Sequence, residues 1–129
     1  MDGSENLNTF GELLIKQVRD RTIDQWEKIL TGQIKSKRAV SVYEEAQVKL
    51  DSSALEMVTG LVSQIVDSTL HNFLSLCEQE EKIKILFKTN YIEEAEATDI
   101  VGNSEGLAGE LYTEDGWILK YSQKPYIEP

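Results

Sequence analysis

Cysteine, proline and histidine are nearly missing from this sequence. Cys77 stands alone among 129 residues, so no disulfide can form within the chain, and its place in an apolar helical run reads as a small buried hydrophobe in a reducing compartment. Only two prolines and no low-complexity tract accompany a hydrophobic fraction of 40% and a charged fraction of 28%, which argues against wholesale disorder. A long hydrophobic run is also absent. The most apolar region, Leu55 to Cys77, is interrupted by Glu56, Gln64, Asp67, His71 and Asn72, so it does not read as a membrane span. The start, Met1-Asp2-Gly3-Ser4-Glu5-Asn6, has neither the basic flank nor the apolar stretch of a secretory signal. The expected location is cytoplasmic.

Positive charge is the most unevenly missing feature. Between Lys88 and Lys120 there is no basic side chain over 31 residues, while Glu93, Glu94, Glu96, Asp99, Glu105, Glu110, Glu114 and Asp115 place eight acids there. Residues 1–65 carry ten acids against eight bases and residues 66–129 carry thirteen against five, so the second half holds −8 of the net −10. Such a field repels phosphate backbones and anionic membrane surfaces and speeds association with a basic partner. Neither nucleic acid nor membrane is expected as a partner. The basic-free stretch also holds Gly102, Gly106, Gly109, Gly116, Tyr91, Tyr112 and Trp117, a composition suited to an ordered surface.

What is present reads as one globular domain over 1–129, with 1–7 disordered, since a chain this long buries roughly two thirds of its unfolded surface. Thr9-Phe10-Gly11-Glu12 has capping-box spacing, and Phe10, Leu13, Leu14 and Val18 follow it at helical intervals. Thr22-Ile23-Asp24-Gln25 repeats the box before a second stripe of Ile23, Trp26, Ile29 and Leu30, which ends at Thr31-Gly32. These patterns predict two helices kinked near Asp20, or one long bent helix. A third helix carries Val40, Tyr43, Ala46 and Leu50 behind the basic residues Lys35, Lys37 and Arg38. After Asp51-Ser52-Ser53, a wide apolar stripe from Leu55 to Cys77 predicts the long central helix of the core.

Beyond Glu81 the period changes. Ile83, Ile85 and Phe87 alternate with Lys82, Lys84 and Lys88, which predicts a strand over 82–88. Trp117 to Tyr121 reads as a second strand after the turn-forming Asp115-Gly116. Leu107 to Tyr112 reads as its hairpin partner, with a short helix capped by Ser104 as the alternative. The fold class is therefore α+β: an N-terminal helical layer of three to four helices, one of them long and central, packed on a small C-terminal, mostly antiparallel sheet.

No motif assigns a reaction. His71 has Asp67 at i−4 and Glu78 at i+7 on its helical face, but three ligands on one helix rarely converge, and the reading is a partly exposed histidine oriented by Asp67. Cys77 lies six residues from His71, about 240° around the helix, so the two do not form a nucleophile and base. Gly102-Asn103-Ser104-Glu105-Gly106 lacks the lysine of a phosphate loop and the spacing of an EF-hand. No catalytic, metal or cofactor site is assigned.

The collective feature is an acidic face with aromatic anchors. Glu93, Glu94, Glu96, Glu110, Tyr112, Glu114 and Asp115 form the candidate partner-binding set, with most weight on the segment from Gly106 to Trp117. The leading expectation is a small, acidic, non-catalytic protein of bacterial type that binds a basic protein, in the manner of an immunity protein neutralising a toxin or nuclease. Two alternatives remain open: a small enzyme or ligand binder using His71 or Glu110 between helices and sheet, and a structural subunit that homodimerises through a partly exposed central helix.

Overall fold

A computed structural model describes residues 3–88 and 97–124. The chain runs through α1 (Gly3–Leu14), a π-helical segment (Ile15–Asp20), α2 (Arg21–Leu30), α3 (Lys37–Lys49) and α4 (Ser52–Gln79) before the short strands β1 (Leu86–Phe87) and β2 (Thr98–Asp99). Two 3-10 turns, Val101–Asn103 and Ala108–Leu111, then lead to α5 (Trp117–Tyr121). The class is α+β, with helices dominant and, among the described residues, a sheet of one antiparallel pair.

The first helical stretch is continuous from Gly3, and a line of burial explains its π segment. Leu7, Gly11, Ile15, Arg19 and Ile23 are all buried, one every four residues. Four residues turn an α-helix by about 400°, so such a line drifts about 40° per step, and wider i→i+5 turns take that drift back. The line therefore keeps facing the core through Ile15–Asp20, and of the two expected forms, a kink near Asp20 or one long helix, the continuous one is found.

This register overturns three expectations. Residues 1–7 were expected to be disordered; residues 1–2 lie outside the described residues, and from Gly3 the chain is helical and buries Asn6 and Leu7. The hydroxyls of Thr9 and Thr22 do not cap helices; they donate to the carbonyls of Glu5 and Val18, one turn back in the same helix. Leu13 and Val18, expected on the core stripe, are exposed. The glycine stop does form: Gly32 has φ +77°, with Gly32 N–H on Ile29 O and Gln33 N–H on Lys28 O.

Short side chains set the next two helix starts. The hydroxyl of Ser36 accepts from Ala39 N–H at 3.4 Å, and the carboxylate of Asp51 accepts from Ala54 N–H at 2.8 Å. The central helix α4 then turns Leu70, Leu74 and Cys77 into the core beside Leu7, Ile15, Ile100, Leu107, Leu111, Trp117 and Ile118.

The C-terminal expectations need most correction. Of the expected strand 82–88 only Leu86–Phe87 pairs, with Leu86 opposite Asp99 and Phe87 opposite Thr98, and Ile83 is exposed. Trp117–Tyr121 is a helix rather than a strand. Its buried residues fall at Trp117 and Ile118, with Tyr121 packed on the core one turn later, a spacing that suits a helix and not alternation. The expected hairpin arm 107–112 is instead a 3-10 turn that buries Leu107 and Leu111 completely. Its leading N–H, on Ala108, donates to the carboxylate of Glu78, which does the capping proposed for Ser104. Asp115-Gly116 does form a turn, with Gly116 N–H on Thr113 O at 3.0 Å; a Cβ on Gly116 would collide with the Tyr112 carbonyl.

Candidate functional site

The polar centre of the molecule is Arg19. Carried on the π segment, its guanidinium is fully buried, an expensive placement that persists only when every donor is answered. Nε donates to Asp67 Oδ1 at 2.6 Å and Nη2 to Asp67 Oδ2 at 3.3 Å, a two-pronged pair between the first helical stretch and α4. Nη1 faces Asp20 Oδ1 at 2.9 Å, Ser122 Oγ at 2.7 Å and the carbonyl of Lys124. Asp20 in turn accepts from Ser122 Oγ and from Gln123 N–H, both at 2.7 Å.

This network fastens the segment after α5 to α2. Lys124 completes it from outside, with Nζ 2.8 Å from Glu27 Oε2 and 3.8 Å from Asp24 Oδ1. Hydrogen bonding to Glu27 raises the Lys124 pKa above the ordinary lysine value, and hydrogen bonding to Lys28 lowers that of Asp24. Each guanidinium nitrogen of Arg19 meets an acceptor of the chain, so the network acts as a clamp, not as an open binding group.

Asp67 is thus committed to Arg19 and does not orient His71. The imidazole of His71 instead packs against Tyr112, with ring centroids 5.7 Å apart, while the Tyr112 hydroxyl donates to the Asp67 carbonyl at 3.4 Å. Glu78, the other acid on the His71 face, is engaged at Ala108. Cys77 is buried at 2% exposure, and burial pushes its thiol pKa up, which suits a core residue and not a nucleophile.

Of the candidate partner-binding set, Glu93, Glu94 and Glu96, like Tyr91, lie outside the described residues. Glu110 is half-buried on the 3-10 turn, Glu114 and Asp115 are exposed in the turn before α5, and half-buried Tyr112 leans on the core. Asp99 serves its own turn, accepting from Gly102 N–H at 3.3 Å. Among the described residues, no ion pair involves Asp99, Glu105, Glu110, Glu114 or Asp115. The cations that do pair answer acids elsewhere: Lys16 with Glu12, Lys28 with Asp24 and Lys49 with Glu45.

Three clefts among the described residues lie away from His71 and Glu110, neither of which lines them. One, of 580 Å³, lies beside Glu27, Glu56 and Lys124; a smaller one, of 420 Å³, lies over Asp20 and Arg21. The most apolar is a 610 Å³ groove whose walls include Val18 and Trp26 from the first helical stretch, Val42 from α3, and Leu61 and Ile65 from α4. Sequence reasoning missed both Arg19 and this groove. The signal for Arg19 was the four-residue line of small and apolar positions into which it falls. For the groove it was an apolar stripe on α4 too wide for one buried face.

Compared with protein-family models, curated proteins and solved structures, the chain matches none of them. Among the described residues no helix is long and apolar enough to cross a membrane, and no three His, Cys, Asp or Glu side chains are grouped to hold a metal ion.

Proposed function

We propose that this chain is a small, non-catalytic protein-binding protein that engages a basic protein through the carboxylates between Asp99 and Asp115. The observation that carries the reading is the absence, among the described residues, of any ion pair to these five acids in a chain that also has Lys and Arg to spare on α3. Carboxylates without a paired cation attract a cationic surface at long range and set its orientation on arrival. They equally disfavour nucleic acid and anionic membranes.

The interior supports the same reading. Arg19, Asp20 and Asp67 saturate one another, Glu78 caps a turn, and Cys77 faces the core without a base. Leu107, Leu111 and Trp117, all fully or almost fully buried, fix the backbone that presents Glu110, Glu114 and Asp115. Its concrete form is an immunity-type protein of the bacterial cytoplasm that neutralises a basic toxin or nuclease.

The test is capture from an extract of the protein's own cells at low salt, with the wild-type chain and with the triple variant Glu110→Lys, Glu114→Lys, Asp115→Lys immobilised side by side. A basic protein held by the wild type, released by salt and absent from the variant is expected. A bound fraction that ignores both the salt and the reversal overturns the reading.

A further inference from the structure

We infer that the outer face of α4 is where a second copy of this chain docks, in an antiparallel pairing about a two-fold axis near Ser68. This surface is distinct from the carboxylate edge. From Met57 to Leu76 every exposed residue of α4 is uncharged, although 28% of the chain is charged. Depletion of charge is the compositional mark of an interface centre. Within that face Met57, Leu61, Ile65, Phe73 and Leu76 are 40–69% exposed, more apolar surface than a helix turned to solvent carries.

A second copy fits because the face is self-complementary. Its first half borders the 610 Å³ groove, walled by Val18, Trp26, Val42, Leu61 and Ile65, and its second half bears the projecting Phe73 and Leu76. In an antiparallel pair centred between Ser68 and Thr69, Phe73 lies level with Gln64, beside the groove residues Val62 and Ile65, and Leu76 lies level with Leu61. Each copy thus seats Phe73 and Leu76 at the groove of the other, twice over and identically, as an isologous interface requires. Size permits it as well: Met57 to Leu76 spans about 29 Å of helix, and the groove walls at Val18, Trp26 and Val42 widen the face beyond the roughly 10 Å breadth of one helix, toward the roughly 800 Å² per partner of a stable interface. Charge permits it: two chains of −10 repel at long range, yet no charged group of this face enters the contact.

Sedimentation of the full chain over a range of concentrations tests this. A species of twice the 14.6 kDa chain mass is expected, strengthened by added salt, whereas binding of a basic partner at the carboxylate edge is weakened by it. Ile65→Glu should raise the dimer dissociation constant at least about tenfold while leaving the helical circular dichroism unchanged. If that variant fails to fold, Phe73→Asn supplies the same readout at a half-exposed site. Ser68→Cys, close to the axis, should give a disulfide-linked dimer on mild oxidation. A wild type that stays monomeric, a dimer indifferent to both substitutions, a dimer that Ser68→Cys cannot link, or a groove that takes up a foreign amphipathic helix without self-association would each overturn the inference.

Discussion

Arg19 and Asp67 meet across the core with Nε and Oδ1 2.6 Å apart, and neither side chain is more than 6% exposed. Forty-eight residues of chain separate them. The pair joins the π segment of the first helical stretch to the middle of α4, and Asp20 and the Ser122–Lys124 segment close around it.

Removing one member of such a pair leaves a buried charge unanswered. Asp67→Ala is expected to cost about 3–5 kcal/mol, and Arg19→Lys is expected to be poorly tolerated because an ammonium cannot reproduce the two-pronged fork. Urea denaturation gives both values, provided the slope with denaturant is unchanged. A loss of under about 1 kcal/mol for Asp67→Ala would remove the clamp from the structural description.

The outer bond of the clamp has a pH signature. Glu27 raises the Lys124 pKa in the folded chain, so the stability it contributes is complete below the unfolded lysine value of about 10.4 and is lost as pH rises through the raised folded value. The difference in Tm between wild type and Lys124→Met should stay constant from neutral pH to about 9 and shrink above about 10.4. A difference that persists unchanged well above that range contradicts the role given to Lys124.

Gly11 sits on the buried line where the Trp117 indole crosses α1, and a Cβ there would collide with the ring. Phe10 meets the same indole edge-on, with centroids 6.0 Å apart at 76°. Gly11→Ala should therefore destabilise by about 1–3 kcal/mol through overpacking, although alanine favours helix at an open position. Thermal melts followed by tryptophan fluorescence measure it. A stabilised variant would mean that α5 docks elsewhere.

The helical half was largely legible because its signals are local. Gly32 ends α2 through its own positive φ, and the stripe from Leu55 to Cys77 fills one long helix whatever it packs against. The sheet half was less legible. Trp117 to Tyr121 is apolar enough for either a strand or a helix turn, and the choice was made by Gly11 and Phe10, more than 100 residues earlier. Leu107 to Leu111 was settled by Glu78, whose carboxylate reaches Ala108 across 30 residues. Arg19 was hidden for the same reason, since nothing near it in sequence says that Asp67 and Ser122 will surround it. The acidity of Glu110, Glu114 and Asp115 was plain from composition; that no cation among the described residues answers them is visible only in the fold.

The most direct measurement is the association rate of the captured basic protein with wild type and with the Glu110→Lys, Glu114→Lys, Asp115→Lys variant, at low and at high salt. Steering by the carboxylate edge predicts a several-fold slower rate for the variant at low salt, with the two rates converging as salt screens the field. Equal rates at low salt would contradict it.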